Sequence, residues 1–245
     1  MMAHRRPDRD GLKLDVLRVP LGPVLADWPA GLVVTLALQG DVVQRADARV
    51  LGSAALQQIS FWDAGDDDGD RGRRHAAAHL DSLGRLLAVV GWDALAYRAR
   101  RLRDGALGGI PAERLRAELA GLERRMRRSW TLRWATDGLG VLTSELARDL
   151  GVTGPAGRAV DGGGDVTARW RCWLARADRC LAGDLPADGD GPRGRLDGDR
   201  PASAALLDAA LRLMVGLDIA AARIVVASFD PDTDELVATM ERSVA

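Results

Sequence analysis

Lysine is nearly absent. Lys13 is the only one, although lysine and arginine together number 34. The basic side is therefore arginine, whose planar guanidinium suits buried and bidentate ion pairs better than an ammonium does. The bias points to a GC-rich, bacterial genome and is not itself a functional signal. Net positive charge is missing too: the formal charge is −1, so no overall basic field gathers nucleic acid. No uncharged apolar run approaches the ~18 residues expected of a membrane-spanning helix. The polar start, residues 1–10, is not a secretory signal, and the chain is expected in the cytoplasm. Cysteine is scarce, with only Cys172 and Cys180. Eight residues apart on one helix, they would be separated by roughly 12 Å along its axis. A disulfide needs Cα atoms within about 7 Å, so free thiols in a reducing compartment are expected.

What is present has a clear order. Residues 14–51 are β in pattern: Leu32, Val34, Leu36 and Leu38 alternate with Val33, Thr35 and Ala37, and Gln39-Gly40-Asp41 signals a tight turn before a return strand over 42–50. Pro20, Pro23 and Pro29 mark an irregular approach. Residues 63–73, dense in Asp and Gly, read as a loop. Helical spacing follows in Leu80, Leu83, Leu87 and Val90 across 74–103, with a break at Gly91. Leu115, Leu119, Leu122, Met126, Trp130 and Trp134 form one stripe, which predicts a single helix over 112–136 opened by Pro111. A short helix over 143–150 ends at Gly151, and Asp165 caps a helix running to residue 182. Residues 184–200 read as a long surface loop. Pro201 opens a further helix to residue 217, and 223–229 is a short β-branched run. The fold class is α+β: a loosely held start over 1–12, a small N-terminal antiparallel sheet within 13–62, then a helical bundle over 74–245.

Few side chains offer chemistry. Asp232, Asp234 and Glu235 are hard-cation ligands by type, but they cannot replace thiolates at a soft-metal site. An acidic, solvated end is the simpler role. Asp66, Asp67, Asp68 and Asp70 around Gly69 have the composition of a calcium loop without its closing glutamate, and Arg71, Arg73 and Arg74 follow at once, so a plain loop is favoured. His75 and His79 are four apart, yet no third zinc ligand or glutamate base stands nearby; a partly exposed first helical turn is expected. Gly162-Gly163-Gly164 lacks the Lys-Ser or Lys-Thr that would follow in a P-loop. Arg124, Arg125, Arg127, Arg128 and Arg133 interleave with Trp130 and Trp134. Such a surface suits nucleic acid, anionic lipid or a partner protein, since arginine and aromatic side chains are enriched in interface hot spots. The simpler alternative puts the tryptophans in the core and the arginines in water. Trp28 and Trp62, in loop-like contexts, are further interface candidates.

Four blocks stand in order along the chain. Gly22-Pro23 leads through Gly31 to Gly40-Asp41. Leu142-Thr143-Ser144-Glu145 leads through Gly151-Val152-Thr153-Gly154-Pro155 to Arg158-Ala159. Pro192-Arg193-Gly194 and Ser228-Phe229-Asp230-Pro231 close the series. Together, over most of residues 14–235, they resemble the large quinone-site subunit of respiratory complex I and its relative, the large subunit of nickel-iron hydrogenases. On that resemblance, 225–231 corresponds to the family's last strand and its Asp-Pro. The family's functional residues are missing. The loop over 24–30 has neither histidine, one of which belongs to the quinone pocket, and Tyr97, the only tyrosine, stands in the wrong context. The first hydrogenase Cys-x-x-Cys has no counterpart before Cys172, and the positions of the second hold Asp232 and Glu235. Arg195 replaces the glutamate after Pro-Arg-Gly.

The resemblance therefore implies a shortened copy that keeps the scaffold, with no catalytic residue and no quinone, metal or flavin cofactor. Its implied role is that of a non-catalytic accessory or structural subunit of an NADH-quinone oxidoreductase or a related hydrogenase-like membrane complex. It would sit peripherally on the cytoplasmic face and meet other subunits through residues among Trp28, Trp62, Arg127, Arg128, Trp130 and Trp134. The alternatives are an assembly factor for that complex and an independent metal-dependent enzyme using the acidic end.

Overall fold

The computed structural model describes residues 5–7, 13–52, 60–62, 68–185, 187 and 189–236. Strands β1 (Arg5–Pro7), β2 (Lys13–Leu21), β3 (Leu32–Gln39) and β4 (Val42–Val50) form an antiparallel meander in sequence order. β1 falls within the stretch expected to be loosely held, and the rest of residues 1–12 lies outside the described ones. Gly40 and Asp41 join β3 to β4, and Gly40 has φ 63°. A two-residue hairpin turn requires a left-handed conformation there, which glycine adopts without steric cost. In β3 Leu32, Val34, Leu36 and Leu38 are all buried as the pattern predicts, but Val33 is buried too, so the alternation holds only from Val34 to Leu38.

Nine α-helices follow among the described residues: α1 (Asp68–Val89), α2 (Asp93–Leu107), α3 (Ala112–Arg128), α4 (Trp130–Thr136), α5 (Ser144–Leu150), α6 (Gly154–Arg158), α7 (Val166–Leu181), α8 (Ala202–Met214) and α9 (Ile219–Phe229). Several ends are set by the residues the sequence singles out. The Thr143 hydroxyl accepts from the Leu146 N–H and opens α5, and Gly151 closes it at φ 70°. The Asp165 carboxylate accepts from the Ala168 N–H and opens α7. Gly91, at φ 81°, lies in the turn between α1 and α2.

Two apolar cores hold these elements. Leu80, Leu83 and Leu87 of α1, Leu102 of α2, Leu115 and Leu122 of α3 and Trp170 of α7 belong to the first. Leu36 and Leu38 of the sheet, Leu206 of α8, and Val225, Val226 and Phe229 of α9 belong to the second. The sheet thus has no core of its own: its inner face is covered by helices from the far end of the chain. Backbone bonds add to the join, since the Val43 N–H donates to the Leu217 carbonyl and the Gly216 N–H to the Val43 carbonyl, both at 2.8 Å.

Three local expectations fail. The helix over 112–136 is two helices: Ser129 leaves the helical conformation at ψ 113°, and its hydroxyl accepts from the Leu132 N–H to start α4 afresh. The restart changes the phase of the stripe. Leu132 and Thr136 then face inward, while Trp130 and Trp134 are 67% and 77% exposed. Residues 223–229 are not a strand but the end of α9, which Asp218 caps by accepting from the Ala221 N–H. Burial of Val225 and Val226 against α8 and the sheet outweighs the small helix penalty of β-branching. The loop expected over 63–73 gives way to helix from Asp68 onward, and 63–67 lie outside the described residues. The calcium-loop composition is resolved in the same way, with Gly69 and Asp70 already helical; Asp66 and Asp67 are not among the described residues.

Trp170 and Trp134 make a direct comparison of buried and exposed tryptophan. Trp170 is fully buried, and truncating a core tryptophan to alanine costs about 3–5 kcal/mol. Trp170→Ala is expected to lower the urea unfolding midpoint sharply, whereas Trp134→Ala is expected to shift stability by less than about 0.5 kcal/mol.

Candidate functional site

The block around Thr153-Gly154 is a seat for the loop that carries Pro192-Arg193-Gly194. Gly154 has φ 63°, and a Cβ there would stand 2.8 Å from the Arg193 carbonyl oxygen and from the Gly194 Cα. The Thr153 hydroxyl accepts from the Arg195 N–H at 3.0 Å. Within what the sequence suggests is a surface loop, residues 191–194 are buried. Arg193, only 5% exposed, reaches inward, and its Nη2 donates to Asp230 at 2.6 Å.

Asp230 has no exposed surface and adopts a left-handed conformation, φ 44°, just past α9. Its other oxygen accepts from Arg85 Nη1 of α1 at 2.5 Å. Arg85 also donates to Asp81 at 2.9 Å, and Asp81 accepts from Arg103 of α2 at 2.5 Å. Five charges, Arg193, Asp230, Arg85, Asp81 and Arg103, therefore form one alternating ladder from the loop through α9 and α1 to α2. Burial pushes the Asp230 carboxyl upward, but Arg85 and Arg193 together outweigh it and hold the group below the ordinary aspartate range. Arg85 is held above its usual value, chiefly by Asp230.

A second guanidinium is spent on backbone. Arg169 of α7 is fully buried and donates to the Ser228 hydroxyl at 2.9 Å and to the carbonyls of Gly164 at 2.7 Å and Gly140 at 3.0 Å. The Phe229 ring lies 4.2 Å from its central carbon. Burial lowers its pKa to about 9, with Asp165 opposing. Gly164 is no phosphate cradle: a Cβ there would fall 2.1 Å from the Leu142 carbonyl oxygen.

His75 and His79 are not in an exposed first turn. They are 2% and 1% exposed on the inner side of α1, which begins nearly two turns earlier than the sequence suggests. Burial, then Arg71 and Arg176, lower the His75 pKa to about 4. Burial, then Arg193 and its neighbours, keep His79 well below the usual histidine value. Both imidazoles are neutral at pH 7. Among the described residues, no group of three or more His, Cys, Asp or Glu side chains could hold a metal ion. Cys172 and Cys180 are free, and burial raises both thiol pKa values, which disfavours the nucleophilic thiolate.

The acidic end is not a solvated tail. Asp232 accepts from the Ser60 hydroxyl at 2.7 Å, and its N–H donates to the Ser203 hydroxyl at 2.8 Å. Glu235 accepts from the Ser203 N–H at 3.0 Å in the first turn of α8, where a carboxylate complements the helix dipole. Trp28 occupies the loop between β2 and β3. It is buried rather than free for a partner, and its indole N–H donates to the Leu32 carbonyl at 2.9 Å. A Cβ on Gly22 would stand 2.9 Å from that indole nitrogen, so the Gly22-Pro23 block is the floor on which Trp28 rests.

The fold resembles that of a respiratory-complex chain. One match is to a structure of the membrane-bound sulfane sulfur reductase, an archaeal respiratory membrane complex, with TM-score 0.66 and 15% identity over 90% of this chain and 98% of that one. The two chains thus correspond nearly end to end. Neither a protein-family model nor a curated protein matches the sequence. No helix among the described residues is long and apolar enough to cross a membrane.

Of the predicted contact residues, the structure gathers four. Arg127, Arg128, Trp130 and Trp134 are exposed at the α3–α4 junction, with Arg127 paired to Glu123 at 2.7 Å. Trp62 is half-buried against the first core, edge-on to Phe61. Phe61 in turn lies under Arg74, near the opposite end of α1. The ladder through Asp81, Arg85 and Arg103 has no signal in the sequence beyond the i, i+4 spacing of Asp81 and Arg85.

Asp230→Asn would leave Arg193 buried without its counter-charge, and breaking a buried pair in this way costs about 3–5 kcal/mol, read as a lower urea midpoint. Because the folded pKa of Asp230 is depressed, its contribution is complete above the unfolded value of about 3.9 and is lost as pH falls through the folded value. The two histidines act in a higher window. Their folded pKa values are also depressed, so the unfolded chain takes up protons first, and stability falls as pH drops from about 6.5 toward about 4. Urea midpoints measured across this range should decline in the wild type and stay flatter in a His75→Gln, His79→Gln double variant.

Proposed function

We propose that this chain is a non-catalytic structural subunit of a respiratory membrane complex of the hydrogenase-like kind to which complex I belongs. The observation that carries the proposal is the contrast between an intact frame and unavailable chemistry. Three of the four blocks that resemble the complex I and hydrogenase subunits meet at the Arg193–Asp230 pair, which is closed from solvent. The places where those families hold quinone or metal ligands are taken up by Trp28, hydrogen-bonded within the core, and by Asp232 and Glu235, which bind serines. The nearly end-to-end likeness to a chain of a respiratory complex supports the same assignment at the level of fold. On this proposal the chain contributes shape, and its exposed arginine–tryptophan face is its contact side. It works peripherally, at the cytoplasmic face, beside subunits that carry the electrons.

The test is affinity purification of the tagged protein from its native membrane in mild detergent. Respiratory-complex subunits at a near one-to-one ratio with the tagged chain are expected. Recovery of the chain alone, or stoichiometric binding of quinone or nickel by the purified chain, would overturn the proposal.

A further inference from the structure

Between α2 and the α3–α4 junction lies an open cleft of about 460 Å³, lined by Trp92, Gly121, Arg124, Arg125, Arg128 and Ser129. Its floor is bare because residue 121 has no side chain. A Cβ placed there would meet the guanidinium of Arg98 at 3.7 Å and that of Arg124 at 3.8 Å, so two cations from two helices converge on one point. Glu123 is the only acid between residues 119 and 136, and it already pairs with Arg127. Among the described residues, no carboxylate pairs with Arg98, Arg124, Arg125 or Arg128. Like charges held together at an exposed cleft repel one another, and an anion brought to them relieves that repulsion.

The next turn of chain sets the type of anion. Trp130 and Trp134 are four residues apart on α4, on one face and largely exposed. Exposed tryptophan is at home at the boundary between polar headgroups and acyl chains, where the indole body is apolar and its N–H is wet. Arginine there keeps its stem along apolar surface and its charge at the phosphates. Two tryptophans beside four uncompensated arginines, on a protein with no membrane-spanning helix among its described residues, form the pattern of an interfacial anchor.

We infer that this face docks onto anionic phospholipid. Headgroup phosphates enter the cleft between Arg98, Arg124, Arg125 and Arg128, and the Trp130 and Trp134 rings lie at the headgroup level. The inference rests on the proposal that the chain works at a membrane, and it names what its contact side meets.

The experiment uses the purified full chain with vesicles of phosphatidylcholine alone and of phosphatidylcholine containing one third phosphatidylglycerol. Binding is read by flotation and by the blue shift of tryptophan emission. Four arginines near an anionic surface should favour the anionic vesicles by roughly 100-fold or more, an advantage that shrinks as salt is raised. Arg124→Glu, Arg125→Glu and Arg128→Glu together should abolish that preference. Trp130→Ala with Trp134→Ala should weaken binding about tenfold or more and remove most of the blue shift. Circular dichroism checks that the variants stay folded, and Arg→Gln versions at the same positions should give an intermediate loss. Equal binding to both vesicles, or binding to neither, overturns the inference. So does capture of a soluble polyglutamate peptide, or of inorganic phosphate, in preference to the anionic vesicles. Failure here with respiratory subunits still co-purifying would remove the lipid contact alone and leave the subunit proposal standing.

Discussion

Asp230 is a carboxylate with no exposed surface, and the structure around it can be read as the means of keeping it charged. A lone buried carboxylate is so costly that it would take up a proton. Here one oxygen meets Arg85 from the bundle and the other meets Arg193 from a loop almost forty residues earlier in sequence. Neither arginine arrives by local structure. Arg85 needs α1 in register with α9. Arg193 needs its loop seated on Gly154, whose lack of a Cβ permits the close approach. Asp230 itself must sit in a left-handed conformation just past α9, one that non-glycine residues adopt at a cost. Two helices and two loops are thereby fixed relative to one another by one ionised group.

The same constraint explains how the interior can hold so many polar groups, many of them bound to one another. A ladder of alternating charge spends each carboxylate on guanidinium, and Arg169 spends its own donors on carbonyls and a serine. The imidazoles nearby are kept neutral first by burial and then by neighbouring arginines. Catalysis by an acid–base pair needs a group poised to exchange protons near pH 7 and open to a substrate. These histidines titrate far below that value and are closed off. Buried ion pairs of this kind add little net stability over apolar packing, but removing one partner is punished heavily. They favour a unique arrangement over an adaptable one.

How much of this was legible in the sequence varied with range. The β3–β4 hairpin, the cap at Asp165 and the Gly151 stop were readable because each depends on neighbours a few residues away. The convergence of Pro192-Arg193-Gly194 on Asp230 was not, since a single sequence shows that two blocks exist and not that they touch. The α3–α4 break shows how one residue misdirects a periodicity argument. Trp130 and Trp134 continue the spacing of Leu115 to Met126, yet Ser129 caps a new helix and rotates them outward. The β-branched run at 223–229 erred in the opposite direction, because burial on both sides decided its conformation and local propensity did not.

That rotation at Ser129 also gives the end of α3 a character unlike that of the core. In the core, several guanidinium groups are matched: Arg85 and Arg193 by Asp230, Arg103 by Asp81, Arg169 by carbonyls. In the last turns of α3, Arg124, Arg125 and Arg128 have no carboxylate partner among the described residues, and they lie beside the two tryptophans that the helix break expels from the core. Had α3 run on unbroken, those rings would have stayed on the stripe of Leu115, Leu119 and Leu122 and been buried, and the arginines alone would have faced water. The break turns an ordinary amphipathic helix end into a surface both cationic and aromatic, and a single serine cap, worth roughly 1 kcal/mol, offsets part of the cost of interrupting the helix. The same guanidinium group therefore behaves in two ways: within the frame it is bound by Asp230, Asp81 and backbone carbonyls, and at the end of α3 it stands beside exposed tryptophans with no carboxylate partner among the described residues.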